Sequence, residues 1–146
     1  MTDEISILEA TPDDARELVQ MNILFNGSSD SATELVARMR DLRRVETVVV
    51  AWVNGKAAGF AALRIVPCVL YPSSHAELTE LYVKDEYRHR GIGKRLVQHL
   101  EELALKEGAE VLLVLTGSDN LPALSLYHGM GFEDYDVSLQ KSLHTK

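Results

Sequence analysis

Apolar residues recur along this chain with two periods, one helical and one alternating, and short polar clusters separate them. Residues 5–9 read as a short first strand. Thr11-Pro12-Asp13-Asp14 then has the features of a helix start: a Thr cap, Pro in the first turn, and acids that complement the helix dipole. This helix is predicted to run to about Phe25, before the polar loop Asn26-Gly27-Ser28-Ser29-Asp30. Ala32, Leu35, Val36, Met39 and Leu42 share one face of a second helix. Residues 47–53 are rich in β-branched side chains and end at Asn54-Gly55, which predicts a tight hairpin into a strand over residues 56–66. Pro67 stops that strand, and an apolar loop with two prolines leads to a fourth strand over residues 76–83.

The second half of the chain has a similar rhythm. Ile92, Leu96, Val97, Leu100, Leu103 and Ala104 define a long amphipathic helix that ends near Gly108. Residues 110–116 form a nearly unbroken apolar run, the pattern of a strand buried on both faces. Asp119-Asn120-Leu121-Pro122 opens a short helix carrying Ala123, Leu126, Tyr127 and Met130, closed by Gly131-Phe132. A last strand is expected between Phe132 and Leu143. The order β-α-α-β-β-β-α-β-α-β indicates an α/β (α+β mixed-sheet) fold, and the length fits a single domain over residues 1–146.

Composition narrows the class. Hydrophobic residues at 46% and charged residues at 25% are ordinary for a globular protein, and no apolar run approaches the roughly 18 residues of a membrane span. The acidic N-terminus lacks a signal-peptide pattern, and Cys68 is the only cysteine, so a reducing, cytoplasmic setting is expected. A net charge of −7 argues against a broad nucleic-acid surface and is compatible with a cationic partner.

Against that charge, Arg88-His89-Arg90-Gly91-Ile92-Gly93 stands out, with Lys94 and Arg95 directly after it. It lies between the fourth strand and the long helix. Glycine there lets the backbone turn sharply and approach a ligand. The first helix amides lack partners within the helix and carry about half a positive charge, so the junction suits a phosphate or pyrophosphate. The stretch is not a P-loop, because no Gly-Lys-Ser/Thr ends it, and it lacks the third glycine of the dinucleotide fingerprint. A lone Gly-x-Gly is weak evidence by itself.

Taken together, these features resemble the GCN5-related N-acetyltransferase (GNAT) superfamily. The resemblance covers nearly the whole chain. It rests on the strand Ala76-Glu77-Leu78-Thr79-Glu80-Leu81-Tyr82-Val83 followed by Asp85 and Tyr87. Next comes an Arg/Gln-x-x-Gly-x-Gly/Ala pattern met by Arg88, Gly91 and Gly93, and then a second motif with Asn120, Ala123, Leu126, Tyr127, Gly131 and Phe132. About a dozen residues follow Phe132, where many members form two strands, so one long strand or a very tight hairpin is expected. That region can shape an acceptor pocket or a homodimer interface in the family.

The resemblance implies acetyl-CoA as co-substrate and no metal. The backbone of Arg88, His89, Arg90, Gly91, Ile92, Gly93 and Lys94 would hold the pyrophosphate. The sheet would splay between strands four and five, opened by a bulge, so that pantetheine lies along Leu81, Tyr82 and Val83, bonding chiefly at Leu81 and Val83. The Leu81 amide would then polarise the thioester carbonyl. Asn120 has two readings, a pantetheine contact or a plain helix cap. Tyr127 is either the general acid that protonates the leaving thiolate or an aromatic packed on the sheet. Neutralising a lysine-like amine at pH 7 costs about 4–5 kcal/mol, so a base is useful. Glu77 and Glu80 are equal candidates, for base or substrate contact, or surface carboxylates; three residues apart, they point to opposite faces of a regular strand unless a bulge intervenes. His75 is a weaker candidate, and Cys68 is not expected to be a nucleophile. The acceptor pocket is expected at the 26–31 loop, the 67–74 loop with Tyr71, and the last strand.

The function implied is transfer of an acetyl group to a primary amine, on a small cationic molecule or a protein, by direct attack in a ternary complex. The alternative is a non-catalytic acyl-CoA sensor. Neither nucleic acid nor membrane is an expected partner.

Overall fold

The computed structural model describes residues 2–144. The chain divides into two compact units, Met1–Val114 and Leu115–Lys146. The first contains β1 (Ile5–Glu9), a 3-10 turn (Pro12–Asp14), α1 (Ala15–Asn26), α2 (Ala32–Met39), β2 (Glu46–Val53), β3 (Lys56–Val66), β4 (Ser74–Val83), a second 3-10 turn (Asp85–Tyr87), α3 (Ile92–Lys106) and β5 (Ala109–Val114). The second contains α4 (Leu121–Gly129).

The five strands form one sheet in chain order. β1 to β4 pair antiparallel and β5 joins β4 in parallel, giving the mixed sheet that the element order predicts. Local chemistry sets the joints. Asn54 and Gly55 take φ of 51° and 81°, so both turn residues are left-handed as a two-residue hairpin requires, and Val53 faces Lys56 directly across the turn. Ser31 caps α2 by accepting from the Glu34 amide at 3.2 Å.

The sheet buries both faces. On one, Leu18 and Met21 of α1 pack on Val50, Phe60 and Tyr82, with Leu35 of α2 at the margin. On the other, Ile92, Leu96, Val97 and Leu100 of α3 are all at most 1% exposed. Strand alternation turns Val49, Ala61, Leu63 and Leu78 toward that second face.

Three expectations need correction. The second helix stops at Met39 and does not reach Leu42, which is 96% exposed. β5 is an edge strand with Val111 64% exposed, because the chain-order sheet leaves it a neighbour on one side only among the described residues. The final strand is absent: no described residue after Val114 lies in a strand. Tyr135, Val137 and Leu139 keep the alternation of a strand yet are each at least 85% exposed. A period of two marks which side chains share a face; it does not supply a partner strand.

Gly59 on β3 leaves no room for a side chain against β4. A Cβ there would sit 2.5 Å from the Tyr82 carbonyl oxygen and 3.2 Å from Val83 Cα. Gly59→Ala should therefore destabilise the fold by about 1–3 kcal/mol, the usual cost of overpacking, read as a lower midpoint in urea unfolding.

Candidate active site

The site is built on an irregularity in β4. Ala62 faces Glu80 across the β3–β4 ladder, but the next β3 residue, Leu63, faces Leu78, so Thr79 is an extra residue in β4. On the other edge, β5 accompanies β4 only as far as Leu78, opposite Val114. Past the bulge, β4 therefore has β3 on one side and no strand on the other among the described residues. The Lys84 amide donates to the Ala58 carbonyl at 2.8 Å. Counting back from that pair, antiparallel alternation turns the backbone groups of Glu80 and Tyr82 toward β3 and those of Leu81 and Val83 toward the open edge. Tyr82 is thus not part of the open edge by its backbone. Its ring stacks 5.2 Å from Phe25 and lies 6.0 Å from Phe60, and burial pushes its phenol above the ordinary value.

The open edge runs into the glycine turn. His89 and Gly91 both adopt left-handed conformations, with φ of 62° and 76°. A left-handed non-glycine residue is uncommon, and such a turn brings successive amides to one side as an anion-binding concavity. Arg88 is an exception, since its amide donates to the Asp85 carbonyl at 3.2 Å. The first backbone bond of α3 runs from the Arg95 amide to the Gly91 carbonyl at 3.1 Å. The amides of Ile92, Gly93 and Lys94 precede it and point out of the helix end. Three of the neighbouring cations are engaged by the protein itself. Arg88 Nε donates to the Val83 carbonyl at 3.0 Å, Arg90 pairs with Asp3 at 3.3 Å, and Arg95 reaches the Ile5 carbonyl at 3.4 Å. Lys94 has no ion pair among the described residues.

The bulge also settles where the two glutamates point. Their partners, Arg64 for Glu77 and Ala62 for Glu80, are two apart on β3 and share a face, so Glu77 and Glu80 share one as well. The regular-strand expectation of opposite faces does not hold. Their surroundings differ. Glu77 accepts from Arg64 Nη2 at 2.7 Å and has His75 Nε2 at 3.9 Å. Glu80 lines a cavity of about 260 Å³ between α1, α2 and the sheet, and no described side chain pairs with it. Loss of solvent, then the neighbouring Glu46 carboxylate, raises its pKa above the ordinary carboxylate value.

Glu46, Arg38 and Arg44 line the same cavity and were not among the sequence candidates. Their positions in the chain carry no motif. The register of β2 brings Glu46 within 2.6 Å of the Thr79 hydroxyl, which donates to it. The 67–74 loop does not contribute here: Cys68 and Tyr71 line a separate cavity of about 210 Å³ with His75 and Val111. The 26–31 loop contributes through Asp30, which pairs with Arg38.

In the second unit, Asn120 Oδ1 accepts from the Ala123 amide at 3.3 Å, so the capping role is present. Tyr127 is 6% exposed, with its ring 5.4 Å from Phe132. Burial pushes its phenol pKa up to about 12, which keeps the hydroxyl protonated at neutral pH. Among the described residues, no group of three His, Cys, Asp or Glu side chains could hold a metal ion, and no helix is long and apolar enough to cross a membrane.

Comparison with known proteins agrees with this architecture. Over residues 84 long, the chain is 31% identical to the [ribosomal protein bS18]-alanine N-acetyltransferase of Escherichia coli K12, covering 58% of this chain and 53% of that protein. It is 34% identical over 89 residues to an N-acetyltransferase of Methanocaldococcus jannaschii, covering 58% of this chain and 38% of that protein. The matched part thus spans about half or less of these curated relatives. Among solved structures, an aminoglycoside acetyltransferase from an uncultured soil metagenomic sample, in complex with sisomicin, has the same fold with a TM-score of 0.82. It is 19% identical, and the alignment covers 96% of this chain and 97% of that one. The ribosomal-protein-alanine N-acetyltransferase of Brucella melitensis biovar Abortus 2308 aligns with a TM-score of 0.80 at 18% identity, covering 95% and 100%. The acetyltransferase (GNAT) family pattern matches residues 15–132. With most of its length inside that match, this chain belongs to the acetyltransferase (GNAT) family.

Proposed function

We propose that this protein is an N-acetyltransferase that uses acetyl-CoA as donor and a primary amine as acceptor. One observation carries the reading: the open edge of β4 at Leu81 and Val83 leads directly into the left-handed turn at His89–Gly91. An unpaired strand edge suits the amides of a pantetheine arm, and the amides of residues 89–94 suit a pyrophosphate. These residues therefore fit acetyl-CoA, which when bound supplies an activated acetyl thioester.

In this reading each residue has a separate task. Leu81 N–H faces the edge and can donate to a carbonyl oxygen that gains negative charge. Val83 anchors the arm, and Arg88 braces the edge through the Val83 carbonyl. Gly91 supplies the left-handed turn, while Ile92, Gly93 and Lys94 present helix-end amides and Lys94 adds charge. Tyr82 holds β4 in register from the opposite side of the strand. Asn120 fixes the start of α4, leaving its Nδ2 group for the arm. The amine must lose a proton before its nitrogen can form the new C–N bond, and Glu80 takes that proton directly or through water. Glu77 is less available to the amine because Arg64 already occupies it at 2.7 Å. The thiolate that leaves as the C–S bond breaks takes a proton from Tyr127, which solvent restores.

Release of free thiol from acetyl-CoA in the presence of a panel of primary amines tests the reading. Turnover with at least one amine is expected; tight CoA binding with no thiol release for any amine would favour the sensor. Tyr127→Phe keeps the ring and removes the hydroxyl. Turnover should fall by roughly 10²-fold with donor affinity little changed, and an undiminished chemical rate would remove Tyr127 from the mechanism.

Glu80 gives a second prediction, with a sign. Its folded pKa is raised, so between the unfolded and folded values the native state binds more protons, and stability falls as pH rises through that window. Glu80→Gln should therefore raise the melting temperature at pH 7, with the gain vanishing below about pH 4, where the carboxyl is protonated in both states. The same variant should lower kcat and flatten the rise of activity with pH, whereas Glu77→Gln should leave the pH profile in place.

A further inference from the structure

We infer that the amine acceptor also carries an anionic group: it is a compact amino-acid-like molecule, its ammonium held by Glu46 and Glu80 and its carboxylate by Arg44. The inference rests on the proposed acetyl transfer at this site and adds the class of acceptor.

The cavity beside Glu80 has two opposite poles and apolar walls. Leu18, Leu35, Met39, Val48 and Phe60 supply the walls. Its volume of about 260 Å³ lies just below the range typical of drug-sized ligand sites, about 300–1,000 Å³, so a compact molecule fits it better than an extended one. The acidic pole has two carboxylates, Glu46 and Glu80, and neither forms an ion pair among the described residues. Glu46 is aimed by the Thr79 hydroxyl at 2.6 Å, so the bulge that opens the β4 edge also orients this group. Two neighbouring carboxylates at the edge of an apolar cavity, neither held in an ion pair, favour an entering cation.

The basic pole is what makes a simple amine or a diamine a poor match. Asp41, the nearest acid to Arg44, is already engaged by Arg43: Arg43 Nε and Nη2 donate to it at 3.1 and 3.0 Å, and the Arg43 amide donates at 3.0 Å. Arg44 Nε stands 3.6 Å from the same carboxylate, beyond hydrogen-bond reach. Arg38, the other guanidinium at the cavity, pairs with Asp30 and lies 3.8 Å from Glu34. Arg44 is thus ion-paired with Asp41 at a longer distance, yet its side chain makes no hydrogen bond among the described residues, which leaves its donors for a forked contact with an entering carboxylate. It is only two residues from Glu46, so the poles lie close enough for the amine and carboxylate of one small molecule. A diamine would bring its second ammonium toward Arg44 and find no acid free there.

Calorimetric titration of the full chain tests this without relying on turnover. The probes are alanine, valine, leucine and methionine, each paired with its amide, plus 1,4-diaminobutane. At least one amino acid should bind about tenfold more tightly than its own amide and than the diamine, as expected for a charge-assisted hydrogen-bonded contact. Arg44→Gln should erase that preference, and Arg44→Lys should restore part of it. Amides or the diamine binding as tightly as every amino acid, a preference that survives Arg44→Gln, or no binding by any probe would overturn the inference. Thiol release separates the two readings: acetyl transfer to the amides with no amino-acid preference leaves the transferase standing and removes the amphoteric acceptor. Selective amino-acid binding without transfer to any amine does the reverse.

Discussion

Thr79 interrupts the ladder between β3 and β4 at the point where β4 loses its other neighbour, β5. Beside the extra residue, the pairing of β4 with β5 ends at Leu78, opposite the last residue of β5, and the amides of Leu81 and Val83 face an open edge. Buried backbone groups need partners, so an opening of this kind in a sheet interior is tolerable where water or a ligand completes it. The same residue turns Glu80 onto the face of Glu77 and orients Glu46 through its hydroxyl. The open edge of β4 and the cavity beside Glu80 therefore both adjoin one local irregularity.

The surrounding framework holds that irregularity in place. Leu96, Val97 and Leu100 of α3 support the sheet from one side, and the Phe25, Phe60 and Tyr82 rings clamp it from the other. Fixed backbone amides, at the β4 edge and at the start of α3, need little reorganisation when charge appears near them. Electrostatics divides the first unit in the same way. Amides and Lys94 mark one pole in a chain of net charge −7, while Glu46 and Glu80 mark the other near the Arg44 guanidinium.

Features set by neighbours in sequence could be read from the sequence. Asn54-Gly55 requires left-handed turn geometry whatever surrounds it, and the 3.6-residue spacing from Ile92 to Leu100 fixes the buried face of α3. Gly91 was likewise marked by its place between a strand and a helix. Features that depend on pairing between distant segments could not be read in this way. Thr79 is an ordinary strand residue, and nothing local shows that it is the one left unpaired. Glu46 and Arg44 reach the cavity only because β2 lies beside β3, and no local motif marks them. The alternation at Tyr135, Val137 and Leu139 predicted a strand that finds no partner. His89 shows a further limit: its left-handed backbone is imposed by the turn, although its residue type would rarely choose it.

Amide hydrogen exchange with and without CoA tests the open-edge account most directly. The amides of Leu81 and Val83, and those of residues 89–94, should become protected when CoA binds, while the Tyr82 amide, already directed at β3, should change little. Saturating CoA binding that leaves Leu81 and Val83 exchanging as in the free protein would contradict the account, because the ligand would then be held somewhere other than the edge that Thr79 opens.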